Sequence, residues 1–371
     1  MTYLGESIPK LGFGAMRLPK KGDAIDLDAT KQMVDQFMAA GFTYFDTAFN
    51  YMDGNSEGAI GEALVKRYPR ESFQLATKLP VWKMKSAADM RTIFETSLAR
   101  TGAGYFDYYL LHNLDFDKTA LYEKYGAWDF VRELKAAGKI RHFGFSIHDT
   151  AARLDEVLTA HPEAEFVQLQ INYADWESSA VQSRRCFEVA QKHGKPVIIM
   201  EPVKGGALAE LTPAAAALLH EADPAASAAS WAVRFCASLP GLITVLSGMS
   251  SPAQMEDNLR TMQNFRPLDE RERALLGRVA ELLQQADTIP CTNCRYCIED
   301  CPEHIKIPML LHIMNELTVY QNKAAAQNNY TWECTGAGKA SACRACNNCV
   351  ERCPQHLDIP RLMVEAADLF E

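Results

Sequence analysis

The stretch Leu27–Asp46, LDATKQMVDQFMAAGFTYFD, contains one helix pattern followed directly by one strand pattern. Its first part places apolar side chains at helical spacing, and Gly41 ends the helix as a C-cap glycine does. FTYFD then forms a short aromatic and β-branched run, which is typical of a buried strand. The stretch therefore predicts a helix that leads into a strand ending at Asp46.

The same alternation of strand and helix continues from Ile8 to about Asn264, in roughly eight units. The predicted strands end at Met16, Asp46, Lys78, His112, Ser146, Ile171, Met200 and Gly248. Eight parallel strands that are each followed by a helix close into a (β/α)8 TIM barrel, whose active site lies where the strands end. The predicted fold class is therefore α/β, and the strand ends are where chemistry is expected.

Composition favours a globular protein that acts on a small molecule. The 371 residues include 38 Lys and Arg against 47 Asp and Glu, a net charge of −9, and 48% of them are hydrophobic. No apolar run reaches the roughly 18 to 20 residues of a membrane span, and the amino terminus lacks the pattern of a signal peptide. No basic stretch is present to bind nucleic acid or anionic lipid. We therefore expect a cytoplasmic protein with a small-molecule substrate and without nucleic-acid or membrane partners.

Nine of the eleven cysteines lie between Cys291 and Cys353. A disulfide framework would be spread more evenly and would need an oxidising compartment, so the clustering indicates metal. The other two cysteines, Cys186 and Cys236, lie in helical patterns and are predicted to be small core residues.

The cysteine-rich region is an internal repeat with an offset of 52 residues. CTNCRYCIEDCPEHIKIPMLL at 291–311 matches CRACNNCVERCPQHLDIPRLM at 343–363. The segment between the copies is helical in period, so we expect a small, mainly helical module. The predicted domains are a barrel at 1–265, a connecting helix at 266–289 and a ferredoxin-like domain at 290–371.

Each copy contains the run C-x2-C-x2-C-x3-C-P. In bacterial ferredoxins three thiolates of this run hold one four-iron cube, and the fourth reaches the other cube. The predicted ligand sets of the two [4Fe-4S] clusters are therefore Cys291, Cys294, Cys297 and Cys353, and Cys343, Cys346, Cys349 and Cys301. Zinc in all-thiolate sites is the alternative, although zinc does not require two four-cysteine runs that end in Cys-Pro.

Three further residues of this region lie outside the predicted ligand sets. Cys334 belongs to neither run and is predicted to be a plain thiol. His304 and His356 occupy equivalent positions of the repeat, and we expect them to pack or to hydrogen-bond near a cluster.

Four polar residues stand at or just after three successive predicted strand ends: Asp46, Tyr51, Lys78 and His112. A carbonyl that accepts hydride gains negative charge on oxygen, which must be stabilised and protonated. A tyrosine is a weak acid at neutral pH and needs a nearby cation, which Lys78 can supply while Asp46 holds it. A structural ion pair and a core histidine are the simpler alternatives for single members, but together the four residues predict a catalytic site with Tyr51 as proton donor.

Residues 1–264 resemble the aldo/keto reductase family. The matching segments are LGFGAMRL, GFTYFDTAFNY followed by EGAIGEAL, LATK, FDYYLLH, GKIRHFGFS, FVQLQINY and GMSSPAQMEDNL. The resemblance implies the same roles for the four catalytic residues. It also implies a nicotinamide cofactor, with Ser146 and Gln168 at its carboxamide and Asn258 with the start of its helix at its adenosine end. The whole chain is similar to the branch in which a dicluster ferredoxin-like domain follows the barrel.

The chain departs from this family near the expected nicotinamide ring. Ile147 stands where the family usually has an asparagine, and Met200 stands where many members have a tyrosine stacked on the ring. A flexible thioether leaves room for a different or larger ring system. Flavin is therefore an alternative cofactor to NAD(P)H.

The segment expected at the 2′-phosphate of NADPH carries no charge. It includes Ser247, Gly248 and Gln254, where the family usually has basic residues. We therefore expect weak discrimination between NADPH and NADH, with Lys204 and Arg260 as the basic residues that would compensate.

The leading interpretation is an iron–sulfur oxidoreductase whose barrel reduces or oxidises a carbonyl-type substrate while the clusters exchange electrons with a partner protein. Hydride transfer moves two electrons together, whereas each cube passes one, so a flavin or a radical-tolerant substrate must link them unless the clusters are structural or sensory. One alternative is an electron-transfer or regulatory module whose barrel binds a nucleotide. Another is a flavin-containing iron–sulfur reductase of activated C=C bonds.

Overall fold

The computed structural model describes residues 3–179, 181–284, 288–291, 293, 295–299, 301–353 and 355–371. The chain divides into two compact units. The first contains the residues up to Glu177 together with Val181–Val203 and Ala229–Glu270, and the second contains Lys204–Ala228 and Arg271–Glu371. Within these described ranges, no helix is long and apolar enough to cross a membrane.

Eight parallel strands of the first unit close into a barrel, which confirms the predicted fold. A short antiparallel hairpin lies between the first two barrel strands in the chain. In chain order the strands are β1 (Leu11–Gly14), the hairpin strands β2 (Lys20–Lys21) and β3 (Ala24–Ile25), then β4 (Tyr44–Asp46), β5 (Gln74–Leu79), β6 (Phe106–Leu114), β7 (Ile140–Ile147), β8 (Phe166–Gln170), β9 (Val197–Met200) and β10 (Leu242–Ser247).

Helices follow the barrel strands along the chain. They are α1 (Leu27–Ala39), α2 (Ser56–Ile60), α3 (Asp89–Thr101), α4 (Phe116–Tyr125), α5 (Ala127–Ala136), α6 (Ala151–Ala160), α7 (Ser183–Lys192), α8 (Pro213–Ala222), α9 (Ala228–Ala237) and α10 (Pro252–Gln263). Of these, α8 belongs to the second unit.

Helix α1 shows how sequence pattern becomes packing. The Asp26 side chain caps its first turn by accepting from a backbone N–H at 3.0 Å, and Gly41 follows its end with a left-handed φ of 87°. Its buried Phe37 packs against Phe13 and Phe45, with ring centroids 5.6 and 5.2 Å apart. The predicted helix and its glycine end are therefore confirmed, and the helix is fixed to strands β1 and β4.

The barrel interior is filled by large side chains from alternating strand positions. Tyr44, Tyr108, Phe166 and Ile198 belong to this buried cluster. Gly144 is required where β7 meets β8, because a Cβ there would lie 2.2 Å from the carbonyl oxygen of Phe166. The close-packed interior makes the barrel a rigid support for the residues at its rim.

The second unit repeats one structural motif. Its remaining helices are α11 (Glu270–Gln284), α12 (Tyr296–Glu299), α13 (Ile307–Tyr320), α14 (Lys323–Glu333), α15 (Asn348–Arg352) and α16 (Ile359–Phe370). The longer helices α13 and α16 begin at Ile307 and Ile359, 52 residues apart, each with proline at the next position. The repeat in the sequence is therefore also a repeat of structure, and α14 stands between its two copies.

Candidate active site and cluster sites

The predicted catalytic side chains lie near the carboxyl ends of three neighbouring strands. Asp46 is the last residue of β4, Lys78 is the last but one of β5, and His112 is the third residue from the end of β6. Strands β4, β5 and β6 pair in parallel register, so the three ends meet on one rim of the barrel. Tyr51 begins the helical turn that follows β4.

The Lys78 ammonium group is the centre of this site. Its Nζ lies 2.5 Å from Asp46 Oδ1 and donates to the Thr47 carbonyl at 2.8 Å. The same Nζ lies 4.6 Å from the centroid of the Tyr51 ring. Lys78 and Asp46 are buried, whereas Tyr51 is partly exposed. A positive charge is thus held beside a tyrosine that a substrate can reach.

Burial and charge oppose each other in setting the proton affinities of these groups. Burial raises the pKa of Tyr51, and Lys78 only partly counters this rise. Burial alone would lower the pKa of Lys78, but Asp46 and Tyr51 outweigh it and raise that pKa. Burial also raises the pKa of Asp46, against the opposing effects of Lys78 and Gln168. At neutral pH Tyr51 therefore keeps its proton and Lys78 its charge, the states that a proton donor and its electrostatic partner need.

His112 is a neutral imidazole beside Tyr51. Burial, together with the charge of Lys78, holds the pKa of His112 well below its ordinary value. Its ring centroid lies 5.8 Å from that of Tyr51 and 5.0 Å from that of Trp82. Its buried Nδ1 has no hydrogen-bond partner in the part of the chain that the structure describes. A neutral imidazole of this kind suits a hydrogen bond to a substrate oxygen.

Backbone strain is concentrated beside two of the four predicted catalytic residues. Met52 and Asp53, just after the tyrosine, have φ values of 53° and 56°, and Asn113, just after the histidine, has 56°. Each such residue costs about 1 to 3 kcal/mol and persists only where its surroundings hold it. The Asn113 N–H donates to Ser146 Oγ at 2.7 Å, so Ser146 is one of the groups that hold this strained rim.

The residues predicted to contact a cofactor also lie on this side of the barrel. Four of them lie within the last three residues of a barrel strand, one directly follows β10, and one lies in α10. In that order they are Ser146, Gln168, Met200 and Ser247, then Gly248, then Asn258. Gln168 Nε2 donates to Asp46 Oδ2 at 3.3 Å across 122 positions of sequence, so Gln168 also supports the carboxylate that is predicted to be catalytic. Sequence reasoning missed this contact, because nothing local connects the two residues.

Arg17 is a basic residue beside the segment expected to bind phosphate. A Cβ at Gly248 would lie 3.6 Å from Arg17 Cδ, and Ser250 Oγ donates to the Arg17 carbonyl at 2.7 Å. Arg260, one of the residues suggested from sequence, instead pairs with Asp257 at 2.5 Å. Sequence reasoning missed Arg17, which ends the short 3-10 helix Ala15–Arg17 after β1 and is far from Gly248 in the chain.

Lys204, the other suggested basic residue, is buried in the second unit. Its Nζ lies 2.9 Å from Glu316 Oε1, and His312 Nε2 lies 3.4 Å from the same oxygen. Asn329 Nδ2 donates to the second carboxylate oxygen at 3.1 Å. Burial would raise the pKa of Glu316, but Lys204 and His312 outweigh burial and hold it well below its ordinary value. The charge of Lys204 is therefore engaged in joining its loop to α13.

Glu316→Gln should destabilise the second unit by about 3 to 5 kcal/mol, because it leaves the buried Lys204 ammonium without its negative partner. The measurement is the urea concentration at which the anaerobic protein loses cluster absorbance. Glu333→Gln is the matched control, since its pair with Lys306 is more exposed and should contribute less than about 1 kcal/mol. Equal effects of the two substitutions would contradict the structural importance of the Lys204 pair.

One cavity of the second unit brings together the four thiols predicted for the second cluster. Cys301, Cys343, Cys346 and Cys349 all line this cavity. Cys301 comes from the first repeat and the other three come from the second. Burial and the neighbouring thiols raise the pKa of Cys349 to about 11, so a cationic iron core is what would stabilise these groups as thiolates.

The lining of this cavity fits the cluster that the cysteine spacing predicts. One thiol from the first repeat and three from the second match the four thiolates of a four-iron cube, in which each iron takes one thiolate.

The ligand set of the first cluster is described only in part. Cys294 lies outside the described residues. Cys297 is buried, and Cys291 and Cys353 pack at the edge of the hydrophobic core that also contacts Cys301. Thiols from both repeats therefore share one core, as crossed ligation requires, and the ligand assignment stays a prediction.

The two cysteine runs also share an unusual backbone conformation. Among the described residues, those with positive φ are Asn293, Arg295 and His304 in the first repeat, and Ala345, Asn347 and His356 in the second. Each pair is 52 positions apart. Turns of this kind direct successive backbone N–H groups into a concave nest that binds anions, including cluster sulfides. Both runs therefore fit the cluster that the cysteine spacing predicts.

The remaining cysteines and histidines have simpler environments. Cys186 and Cys236 are buried, which confirms them as core residues, and burial raises the pKa of Cys186 to about 12. Cys334 is partly exposed. His304 and His356 are exposed and have left-handed backbone conformations, so they do not pack in the core. The other predicted role, a hydrogen bond near a cluster, stays a prediction.

Two family models match the chain. The aldo/keto reductase family matches residues 10–281, and the 4Fe-4S dicluster domain matches residues 290–357. The second match implies two 4Fe-4S clusters. Both agree with the barrel and with the repeated cysteine runs.

Curated relatives match mainly the barrel. A probable aldo-keto reductase 1 of Glycine max is 30% identical over 181 residues, which cover 46% of this chain and 50% of that protein. The NADH-specific methylglyoxal reductase of Escherichia coli (strain K12) is 25% identical over 328 residues, which cover 75% of this chain and 97% of that protein. The chain matches about half the length of the Glycine max protein and about half the length of two aldo-keto reductases from Mycobacterium strains.

Solved structures match the barrel as well. An aldo-keto reductase of Klebsiella pneumoniae in complex with NADPH has a TM-score of 0.58 at 22% identity, covering 74% of this chain and 91% of its own. The holo form of an aldo-keto reductase of Bacillus halodurans has a TM-score of 0.58 at 25% identity, and the match covers 75% of this chain and 95% of that structure. These likenesses support the barrel fold.

Proposed function

Because the chain belongs to the aldo/keto reductase family, we propose that its barrel reduces or oxidises a carbonyl-type substrate, with Tyr51 as the proton donor. One observation carries the proposal. Lys78 Nζ lies 2.5 Å from Asp46 and 4.6 Å from the ring of a partly exposed tyrosine at the barrel rim. A binding module has no need for such a charged partner beside a tyrosine.

The four residues divide the work of protonating a carbonyl oxygen. A bound nicotinamide supplies the hydride for this class of reaction. As negative charge develops on the substrate oxygen, Tyr51 Oη donates its proton to that oxygen. Lys78 stabilises the remaining tyrosinate, and Asp46 keeps Lys78 in place. The neutral His112 hydrogen-bonds the oxygen and orients it for proton transfer, and in the oxidative direction the proton returns to Tyr51.

The barrel rim fits a dinucleotide. Ser146 and Gln168 offer polar side chains at the ends of β7 and β8, and α10 begins with Ser251 as its cap. The first N–H groups of a helix favour phosphate. We expect these groups to hold NAD(P)H together with Met200, Ser247, Gly248 and Asn258. The NADPH complex of the Klebsiella pneumoniae neighbour supports a nicotinamide over the alternative, a flavin.

The clusters would carry single electrons, and a radical-tolerant substrate would be needed to link them to the two-electron hydride step of the barrel. Cys291, Cys294, Cys297 and Cys353 would hold one cluster, and Cys343, Cys346, Cys349 and Cys301 the other. When bound, four-iron clusters pass single electrons. We propose that a partner protein exchanges electrons with this domain. The proposed domains are the barrel at 1–265, the connecting helix at 266–289 and the cluster domain at 290–371. We also propose that the protein is cytoplasmic.

Steady-state turnover of the anaerobic protein tests the proposed function. A panel of aldehydes and ketones, offered with NADPH or NADH, should show oxidation of the nicotinamide that depends on the carbonyl compound. Nucleotide binding without turnover of any carbonyl would instead favour the electron-transfer or regulatory module. Extraction of a flavin from the purified protein would favour the C=C reductase.

The affinities for NADPH and NADH should differ by less than about tenfold, ~1.4 kcal/mol, because the phosphate segment itself is uncharged. Arg17 is the source of the preference that remains, so Arg17→Met should bring the two affinities together. Calorimetric titration with NADPH, NADH, FMN and FAD measures this. Arg260→Met is the control, since Arg260 pairs with Asp257. A hundredfold preference for NADPH that survives Arg17→Met would contradict the prediction.

A further inference from the structure

A buried carboxylate joins α2 to β5, the strand that carries Lys78, and to α3. The Glu57 side chain is fully buried. Its Oε1 accepts a hydrogen bond from Thr77 Oγ1 at 2.7 Å, and its Oε2 accepts one from Arg100 Nη1 at 3.2 Å. A buried carboxylate is tolerated only where its oxygens have donors. Glu57 obtains one donor from β5 and one from α3.

Arg100 extends this network to the turn that holds the predicted proton donor. Its Nη1 donates to the Phe49 carbonyl at 2.9 Å, and its guanidinium carbon lies 4.4 Å from the centroid of the Phe49 ring. Phe49 precedes Tyr51 by two residues, and Thr77 directly precedes Lys78. The network therefore connects the backbone before the proton donor with the strand that carries its charged partner.

A glycine allows α3, the helix that carries Arg100, to pack closely against the neighbouring chain. A Cβ at Gly61 would lie 2.8 Å from the carbonyl oxygens of Arg100 and Thr101, so the approach of α3 to the turn after α2 requires glycine. Gly54, in the turn after Tyr51, has a left-handed φ of 87°, which favours glycine for the backbone of the turn itself. The close packing at Gly61 therefore fixes the position of α3, from which Arg100 reaches the Phe49 carbonyl.

The Tyr51 turn needs a constraint from outside itself. Met52 and Asp53, the next two residues, have left-handed backbone conformations. Such conformations persist only where surrounding groups hold the chain. The bond from Arg100 to the Phe49 carbonyl supplies a fixed point at the start of this strained turn.

We propose that Arg100, oriented by Glu57, is a positioning residue that holds Tyr51 beside Lys78. The inference rests on the proposed function, which makes Tyr51 the proton donor. Arg100 acts through the Phe49 carbonyl and the turn that follows it. Misplacement of a reacting group by about 1 Å can lower a rate by about 100-fold, so loss of this hydrogen bond should appear in the chemical step.

Three variants test the role of Arg100 in turnover. Arg100→Met removes the guanidinium and should lower kcat about 100-fold with little change in KM or nucleotide affinity. Arg100→Lys restores a donor and should recover part of kcat. Arg91→Met is the matched control on α3, because Arg91 and its partner Glu133 are both largely exposed, and it should behave as wild type. Unchanged kcat in Arg100→Met, or an equal loss of nucleotide affinity and kcat, would overturn the inference.

A second measurement does not depend on turnover. In protein labelled with fluorotyrosine, the fluorine resonance absent from Tyr51→Phe belongs to Tyr51. Arg100→Met should shift this resonance and raise the pKa that it reports, because the tyrosine moves away from the Lys78 charge, whereas Arg91→Met should leave it in place. An unshifted resonance would overturn the positioning role. A shifted resonance in a protein without carbonyl turnover would keep the positioning role and overturn the proposed function alone.

If Arg100→Met does not fold, Glu57→Gln provides a second test of the positioning role. The amide keeps an acceptor for Thr77 but removes the charge that orients Arg100. We expect the same shift of the Tyr51 resonance, smaller in size, together with a smaller decrease in kcat. A Tyr51 resonance identical to that of the wild type would overturn the part assigned to Glu57.

Discussion

Tyr51→Phe should lower turnover of a carbonyl substrate by about 100- to 10,000-fold, the range that general acid catalysis contributes. The substitution removes the transferable proton but keeps the ring that lies beside Lys78 and His112. Affinity for the nucleotide should therefore remain close to that of the wild type. Steady-state kcat and a calorimetric dissociation constant, both from anaerobic protein, separate the two effects.

Tyr125→Phe is the matched control for this substitution. The Tyr125 hydroxyl donates to the Lys85 carbonyl at 3.4 Å in an exposed position. Its removal should leave turnover unchanged. Wild-type turnover in Tyr51→Phe would show that another group protonates the substrate, and the assignment of the proton donor would then fail.

The pH dependence of the reduction rate also tests the assignment of Tyr51 as proton donor, through the pKa values of Tyr51 and His112. Burial raises the pKa of Tyr51 from 10.0, so the hydroxyl is protonated at neutral pH, and the rate should fall only as pH rises above about 10. His112 has a lowered pKa and stays neutral over this range. An inflection near 6.5, absent from a His112→Gln variant, would contradict the neutral state of His112.

The barrel rim was predictable because each strand is a short apolar run and a polar residue marks its end. FTYFD, FQLATK and FDYYLLH end at Asp46, Lys78 and His112. Parallel strands of a barrel end on the same rim, so their terminal side chains must lie close together whatever the details of packing. The observed strands end within two residues of the predicted positions.

Contacts between distant segments could not be predicted in the same way. Gln168 reaches Asp46 across 122 positions, and Arg100 reaches Glu57 across 43. In the sequence, Arg100 is an ordinary basic residue in the last turn of a helix, a position where a solvent-exposed cation is common. Its partner is determined by how closely α3 approaches α2, which depends on Gly61 and on packing that periodicity does not describe.

Cys301→Ala should reduce the iron content of the anaerobic protein from about eight to about four atoms per chain. Cys301 follows α12 in the first repeat, yet it lines the cavity formed by three cysteines of the second repeat. Its loss should therefore remove the cluster of the second repeat and spare the other. Cys334→Ala is the control, because Cys334 belongs to neither run, and it should leave the iron content unchanged.

Double substitutions distinguish crossed from uncrossed ligation without assigning any spectrum. If ligation is crossed, Cys301 and Cys343 serve the same cluster, so the variant that lacks both should retain about four iron atoms, as each single variant does. The variant that lacks Cys301 and Cys291 should lose both clusters and nearly all iron. Uncrossed ligation predicts the reverse, because Cys301 and Cys291 would then serve one cluster and their joint loss would spare the other. Iron analysis of the two double variants therefore decides which repeat supplies the fourth thiolate of each cluster.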